Sequence, residues 1–359
     1  MIPHPQLFAG ALMLSVAALV AWTFWMVPRW ARPGIYFGVT VPLPFQDSAE
    51  ARHILRSYRR LAMSHFAIAL ALIGAGVFSG YWGFVFLGAI WFVAGPLAAF
   101  LGAHKRAVRY AIEGTTIREA VLEKRVVNLP GGRLTQAGPF AILIATAVDL
   151  QLRWNEIPAR FPVHWGIDGH PNGWSTRTPI GVYVPIVMGI SILAGIAATA
   201  YGIRHLARSV HATAAGPLAY DFGHRIGMFL LIVEYFLAMT FSLVALLPLT
   251  GSPGVMSLLV IALLMVPILL MLIPWLNKGR AHIENHPAAS AGVAIGDGTP
   301  DQCWKLGMFY FNPDDAALFV ERRFGVGYTL NFGHSSAWIC VALVLLIPIA
   351  ILVLVSHQR

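Results

Sequence analysis

The chain alternates long apolar runs with shorter polar connections. A hydrocarbon core of about 30 Å takes about 20 helical residues to cross. That yardstick selects residues 7–27, 63–80, 84–103, 136–152, 179–203, 226–248, 255–276 and 335–356. The pattern predicts an all-α integral membrane protein with about eight transmembrane helices. The fourth run is short and carries Asp149 and Gln151. If it does not span, seven helices remain and the termini fall on opposite sides.

Composition agrees with the pattern: 57% of residues are hydrophobic and 11% charged, against roughly a quarter charged in soluble domains. The opening MIPHPQLFAGALMLSV has no Lys or Arg before its apolar run, so it reads as a retained first helix rather than a cleaved signal with a basic leader. Two cysteines, Cys303 and Cys340, are too few for a disulfide framework.

Charge then sets the orientation. Of 25 Lys and Arg residues, an outside N-terminus with eight spans leaves only Arg153, Arg160, Arg177 and Arg359 outside. This strong bias satisfies the positive-inside rule and places both termini, and the 153–178 loop, outside. It also assigns the net charge of +9 to topology, so nucleic acid is not an expected partner and the bilayer is. The expected organisation is residues 1–135 as a three-helix membrane region, 136–203 as a helix pair around the 153–178 loop, and 204–276 as two further helices. Residues 277–334 form an inside segment containing a dense motif at 303–333, and 335–359 hold the last helix.

Within the first region, residues 46–62 read as an inside basic amphipathic helix. Asp47 and Glu50 have capping-box spacing, and Arg52, Arg56, Arg59 and Arg60 recur on one face, where they would meet anionic lipid or dock a partner. Residues 104–133 are readable as an interfacial helix or a short strand pair. In the 277–334 segment, Asn312 and Pro313 suit a helix start, with Asp314 and Asp315 in its first turn. A short helix AALFVERR is expected to follow. Asn312, Asp314 and Asp315 also offer oxygen ligands for a divalent cation, although capping accounts for all three.

The loop FPVHWGIDGHPNGW, Phe161 to Trp174, is the long polar interruption in the middle of the chain. Its Gly, Pro, Asn and Asp content specifies turns. His164, Asp168 and His170 form an H-x3-D-x-H pattern that a zinc ion would accept as three ligands with an open position. The same residues equally serve local turn hydrogen bonds. Trp165 and Trp174 suit the headgroup level and would make rigid anchors for an apolar peptide or lipid. Inside the sixth run, Glu234 is costly by at least about 2.5 kcal/mol unless it is paired, protonated or in a polar pathway. His65, His224 and Arg225 are candidates at similar depth. Asp149, near the outer end of the fourth helix, should reach interfacial water. No phosphate-binding loop, GxSxG elbow or paired-cysteine motif occurs, so a binding protein is expected rather than an enzyme, and no cofactor is expected.

Three stretches together carry a resemblance: FGVTVP with the basic helix ending SYRR, IPARFPVHWGIDGHPNGW, and WKLGMFYFNPDDAALFVERRFGVGYTLNFG. They resemble bacterial multi-pass membrane proteins with a central DUF1648 domain, as in SdpI-like immunity proteins, and a C-terminal DUF5808 domain. Ile157, Pro158, Pro162, His164, Trp165, Gly169, Pro171 and Trp174 match the central pattern, while His170 stands where the family commonly has an acidic or basic residue. Asn312, Pro313, Asp314, Asp315 and Asn331 carry the C-terminal one. The resemblance implies a bacterial plasma-membrane protein that gives immunity to, or senses, an extracytoplasmic toxic peptide or envelope stress. Its implied partners are a secreted toxic peptide or a membrane-recruited regulator, and its implied binding residues are His164, Trp165, Asp168, Gly169, Pro171 and Trp174. Two other readings remain: a proton-coupled transporter organised around Glu234, and a metal-dependent membrane enzyme using His164, Asp168 and His170.

Overall fold

The structure is a computed structural model and describes residues 17–31, 34–113, 131–165, 171–206, 216–250, 297–324 and 327–356. Seven α-helices occur among them: α1 (Ala17–Met26), α2 (Ala49–Ser79), α3 (Trp82–Ala107), α4 (Gly132–Leu152), α5 (Pro179–Leu206), α6 (Gly216–Thr250) and α7 (Ser335–Ser356). Four stretches within them are long and apolar enough to cross a membrane: Ala49–Ser79, Trp82–Tyr110, Pro179–Ile203 and Ile226–Leu249. The expected 255–276 helix lies outside the described residues. Large apolar side chains such as Phe78, Phe86, Ile90 and Val93 stand exposed along α2 and α3. A soluble protein rarely leaves such a surface contiguous, whereas lipid solvates it. The chain is a helical membrane protein.

Helices α2 and α3 form a tight antiparallel pair, closed by Gly80 in the left-handed region (φ +71°) at the C-terminal end of α2. Glycines let them approach: a Cβ on Gly88 would press on the Ala69 carbonyl and Ile73, and one on Gly95 would press on His65. The anticipated separation of a basic helix at 46–62 from a span at 63–80 is not observed, because α2 runs unbroken through both. Its cap also shifts by one residue. Ser48, not Asp47, accepts the Ala51 N–H at 3.0 Å, so the third helical residue is Ala51 and Glu50 cannot complete a capping box. Of residues 104–133, those through Ala107 extend α3, Gly132 starts α4, and 114–130 lie outside the described residues.

A second group is α4, α5 and α6, packed around Leu143, Leu150, Ile186, Leu193, Ala238 and Ala245. Thr146 donates to Ser242 at 2.9 Å across the α4–α6 contact, and the Tyr235 hydroxyl donates to the Thr135 carbonyl at 2.9 Å. Helix α4 is 21 residues long, but Asp149 keeps its apolar part short and it is not among the four long apolar helices.

Four two-stranded antiparallel hairpins add to the helices among the described residues. The first pairs β1 (Ile35–Tyr36) with β2 (Val39–Thr40), and the second pairs β3 (Arg160–Trp165) with β4 (Pro171–Thr176). The others pair β5 (Trp304–Lys305) with β6 (Phe309–Tyr310), and β7 (Phe319–Glu321) with β8 (Tyr328–Leu330). The expected helix AALFVERR is therefore a correction: Phe319–Glu321 is strand β7. Side chains decide it. Asp315 accepts the Ala317 N–H at 3.1 Å, and Asn331 Nδ2 donates to the Asp315 and Ala317 carbonyls at 3.1 Å each. These bonds occupy backbone groups that helix hydrogen bonding would need.

Candidate functional site

The β3–β4 hairpin sits at the junction of α4 and α5. Arg160 pairs with Thr176, Phe161 with Ser175 and Pro162 with Trp174, and the register is irregular from Pro162 through Trp165. Pro162 has no N–H to give to a ladder, which fits that irregularity. Beneath the hairpin, Ile157 and Phe161 are buried against the α4–α5–α6 core. Arg177 closes its base. The Arg177 N–H donates to the Ala159 carbonyl at 3.0 Å, and Nη1 donates to the Asn155 and Ile157 carbonyls at 3.3 and 3.1 Å.

Between the hairpin, the start of α5 and the end of α6 lies a groove of about 550 Å³. Phe161, Val163, Ile180, Val184, Leu247 and Pro248 make its apolar lining. Val163 and Trp174 are 41% and 42% exposed. The Arg160 guanidinium lies 5.0 Å from the centre of the Trp174 ring, a cation–π arrangement that keeps the charge at an aromatic rim. Among the described residues the groove thus offers apolar surface with a cationic edge at Arg160.

Among the sequence-predicted loop residues, Trp174 and Pro171 lie on β4. His164 and Trp165 lie on β3, opposite Gly173 and Pro171, with side chains outside the described residues. Asp168, Gly169 and His170 also lie outside them. Among the described residues no cluster of His, Cys, Asp or Glu could hold a metal. Asp149, 46% exposed at its side chain, meets Arg153 at 3.7 Å, and Arg153 meets Glu156 at 2.9 Å. The Glu156 hydrogen bond and charge hold the Arg153 pKa above its ordinary value.

Glu234 is buried on α6, on the same stripe as Leu231, Ala238, Ser242 and Ala245, the stripe from which Ser242 reaches α4. His65 packs against Trp91 and Gly95 of α3, and His224 is on α6 itself, about 15 Å along the axis at 1.5 Å per residue. The Arg225 side chain lies outside the described residues.

A second constellation, invisible to sequence spacing, forms where the ends of α2 and α3 meet the C-terminal hairpins. Arg323 is completely buried and donates from Nε and Nη2 to the two carboxylate oxygens of Asp297 at 2.8 Å each. It also meets Asp301 and the Gly38 carbonyl. Asp301 in turn accepts from the Thr40 hydroxyl at 2.6 Å and the Thr40 N–H at 3.1 Å. Burial pulls the Arg323 pKa down, but the Asp297 and Asp301 carboxylates outweigh it and hold the guanidinium above its usual value. Asn331, fully buried, accepts the Asn312 N–H at 2.9 Å and donates to the Asn312 carbonyl at 2.8 Å. Asn312 Oδ1 accepts the Asp314 N–H, and Asp315 Oδ2 accepts the Tyr310 hydroxyl at 2.9 Å. Asn312 and Asp315 thus hold turns and strand ends instead of starting a helix. Burial raises the Tyr310 pKa; the Asn312 hydrogen bond opposes the shift, and the Asp315 hydrogen bond and charge add to it.

The two constellations stand at opposite ends of α5. Its start borders the groove, while a Cβ on Gly202 near its end would strike the Phe319 ring.

Residues 141–190 match the family model of a domain of unknown function, DUF1648, and residues 313–338 match a family of unknown function, DUF5808. The first is the domain family of SdpI-like membrane proteins. Its match contains the hairpin and most of the groove, while the α6 wall lies beyond it. Comparisons with curated proteins and with solved structures give no match.

Proposed function

We propose that this chain is a non-enzymatic, SdpI-like protein of the bacterial plasma membrane, and that the groove under the β3–β4 hairpin receives an extracytoplasmic apolar peptide. The observation carrying the reading is the coincidence of the DUF1648 match with a half-open apolar groove rimmed by Arg160 and Trp174. Eight spans, with both termini and the hairpin outside, give the orientation. The physical logic is simple. An apolar peptide partitions to the bilayer surface, and a groove at a hairpin base buries part of it while a cation meets its carboxylate terminus or an acidic side chain. Occupancy would change the seating of α5, whose far end bears on Phe319, so binding outside is readable as immunity or as a signal. A transport role would need Glu234 to face a polar pathway. Its place on a helix-packing stripe favours an interhelical contact instead.

The test is survival of a toxin-sensitive bacterial host challenged with secreted toxic peptide. Protection should fall when Trp174→Ala or Arg160→Gln is expressed at wild-type level. Survival indifferent to both would remove the groove from the mechanism.

A further inference from the structure

The basic face of α2 is not one uniform patch, and its arginines divide by what they touch. Arg59 is spent on α1: it lies 4.6 Å over the Trp25 ring and donates to the Trp25 carbonyl. Arg52 donates to the Asp47 carbonyl. Arg56 is different. With Arg106 and Arg109 from α3 and the segment that follows it, it lines an open pocket of about 730 Å³ that also contains His53, Ser57 and Tyr110. Arg106 Nη1 donates to Ser57 Oγ at 2.8 Å, which holds that guanidinium at the pocket wall. Among the described residues Arg56 bonds through its Nε alone, to the Arg52 carbonyl at 3.3 Å, and none of them takes its two terminal nitrogens. Glu50 also borders the pocket. Among the described residues it makes no ion pair with the three arginines, so the described lining carries more positive than negative charge.

Depth identifies the ligand. The apolar stretch of α2 begins near Ala62 and that of α3 ends near Ala103, so at 1.5 Å per residue Arg56 and Arg106 stand only about 5–9 Å beyond the hydrocarbon edge. That is the headgroup layer. Three guanidiniums converging there from two membrane helices suit a phosphate, which takes paired N–H donors, and basic pockets between helix ends are a recurring headgroup site.

We propose that this pocket binds a phosphate group at the membrane surface, the phosphodiester of an anionic phospholipid headgroup, with Arg56, Arg106 and Arg109 as its donors. This site is on the opposite end of the membrane helices from the peptide groove and does not rest on the function proposed for that groove. The lipid ties the α2–α3 pair to the headgroup layer beside the C-terminal hairpins, so lipid charge becomes an input to that end of the molecule.

The test uses the full-length protein, purified and delipidated in neutral detergent, with bound species read by native mass spectrometry. Phosphatidylglycerol should be retained at one per chain and phosphatidylcholine should not. Arg109→Gln, which removes no contact within the described residues, should weaken retention about ten-fold, the size expected for one charged hydrogen bond. Arg56→Gln should do the same. A separate arm with inorganic phosphate distinguishes the source: saturation by millimolar phosphate, with no lipid retained, assigns the pocket to a soluble phosphate compound. Equal retention of both lipids, or phosphatidylglycerol retention unchanged in both variants, overturns the proposal.

Discussion

Arg323 and Asp297 face each other in a two-point ion pair, Nε to Oδ2 and Nη2 to Oδ1 at 2.8 Å, with side chains 0% and 7% exposed. Around them Asp301, Thr40 and Gly38 bind the N-terminal hairpin to the C-terminal hairpins. Removing one member of such a pair strands the other in a dry interior. Arg323→Ala should therefore destabilise this end of the protein by about 3–5 kcal/mol. Arg323→Lys should recover little, since one ammonium cannot reproduce the two-point geometry. Thermal unfolding in detergent, followed by tryptophan fluorescence, checks this. A wild-type melting temperature for Arg323→Ala would refute the pair's role.

Gly38 (φ +80°) and Gly307 (φ +71°) are the tips of two hairpin turns pressed together, and a Cβ on Gly38 would overlap the Gly307 carbonyl. Gly38→Ala should loosen the docking of the two hairpins, adding a steric clash to the cost of a positive φ. Limited proteolysis should then cut the 297–334 segment sooner in the variant. Unchanged cleavage would show that the turns do not hold the hairpins together.

Tyr36 donates its hydroxyl to the Ala51 carbonyl at 2.6 Å, and burial, only partly offset by Arg59, raises its pKa from 10.0 to about 12. The neutral phenol is favoured in the folded state. Its contribution is fully present below pH 10 and is lost as pH rises through 12, a change of up to about 2.7 kcal/mol. Tyr36→Phe should be less stable at neutral pH but should show a smaller alkaline loss than the wild type. Parallel alkaline unfolding curves for the two proteins would contradict the assignment.

Thr146 and Ser242 share the buried hydroxyl contact between α4 and α6. Ser242→Ala should cost about 0.6 kcal/mol, the usual size of a hydrogen bond between membrane helices. Gly138→Ala should cost more, because its Cβ would overlap the Tyr235 hydroxyl that binds Thr135. Comparing the two variants in a detergent titration separates hydrogen bonding from packing. The order of their effects should not reverse.

Much of the membrane architecture was legible because it follows from a one-dimensional quantity. A run of about 20 apolar residues is helical wherever lipid surrounds it, since the backbone has no other way to satisfy its hydrogen bonds. Hence the runs at 84–103, 179–203, 226–248 and 335–356 each reappear within a helix, and 63–80 does so up to Ser79. Local spacing was less reliable. The sequence Asn312-Pro313-Asp314-Asp315 suits a helix start, yet Asn331, far along the chain, binds the backbone of Asn312, Asp315 and Ala317 and fixes an extended path. Trp174 was identifiable as an exposed aromatic on a turn-rich loop. Its partner Arg160, and the α6 wall of the groove, were not.

The sequence by itself determined a helical membrane protein, and it singled out the polar hairpin through turn-forming composition, both properties of neighbouring residues. The tertiary structure alone decided where charges are neutralised. Arg323 resembles any inside arginine until Asp297, Asp301 and Gly38 are brought around it, and Arg56 looks like its neighbour Arg59 until α1 takes one and α3 completes a pocket with the other. The physical reason is range: apolar burial and backbone propensity act along the chain, whereas the worth of a charge depends on what the fold places within a few ångströms of it.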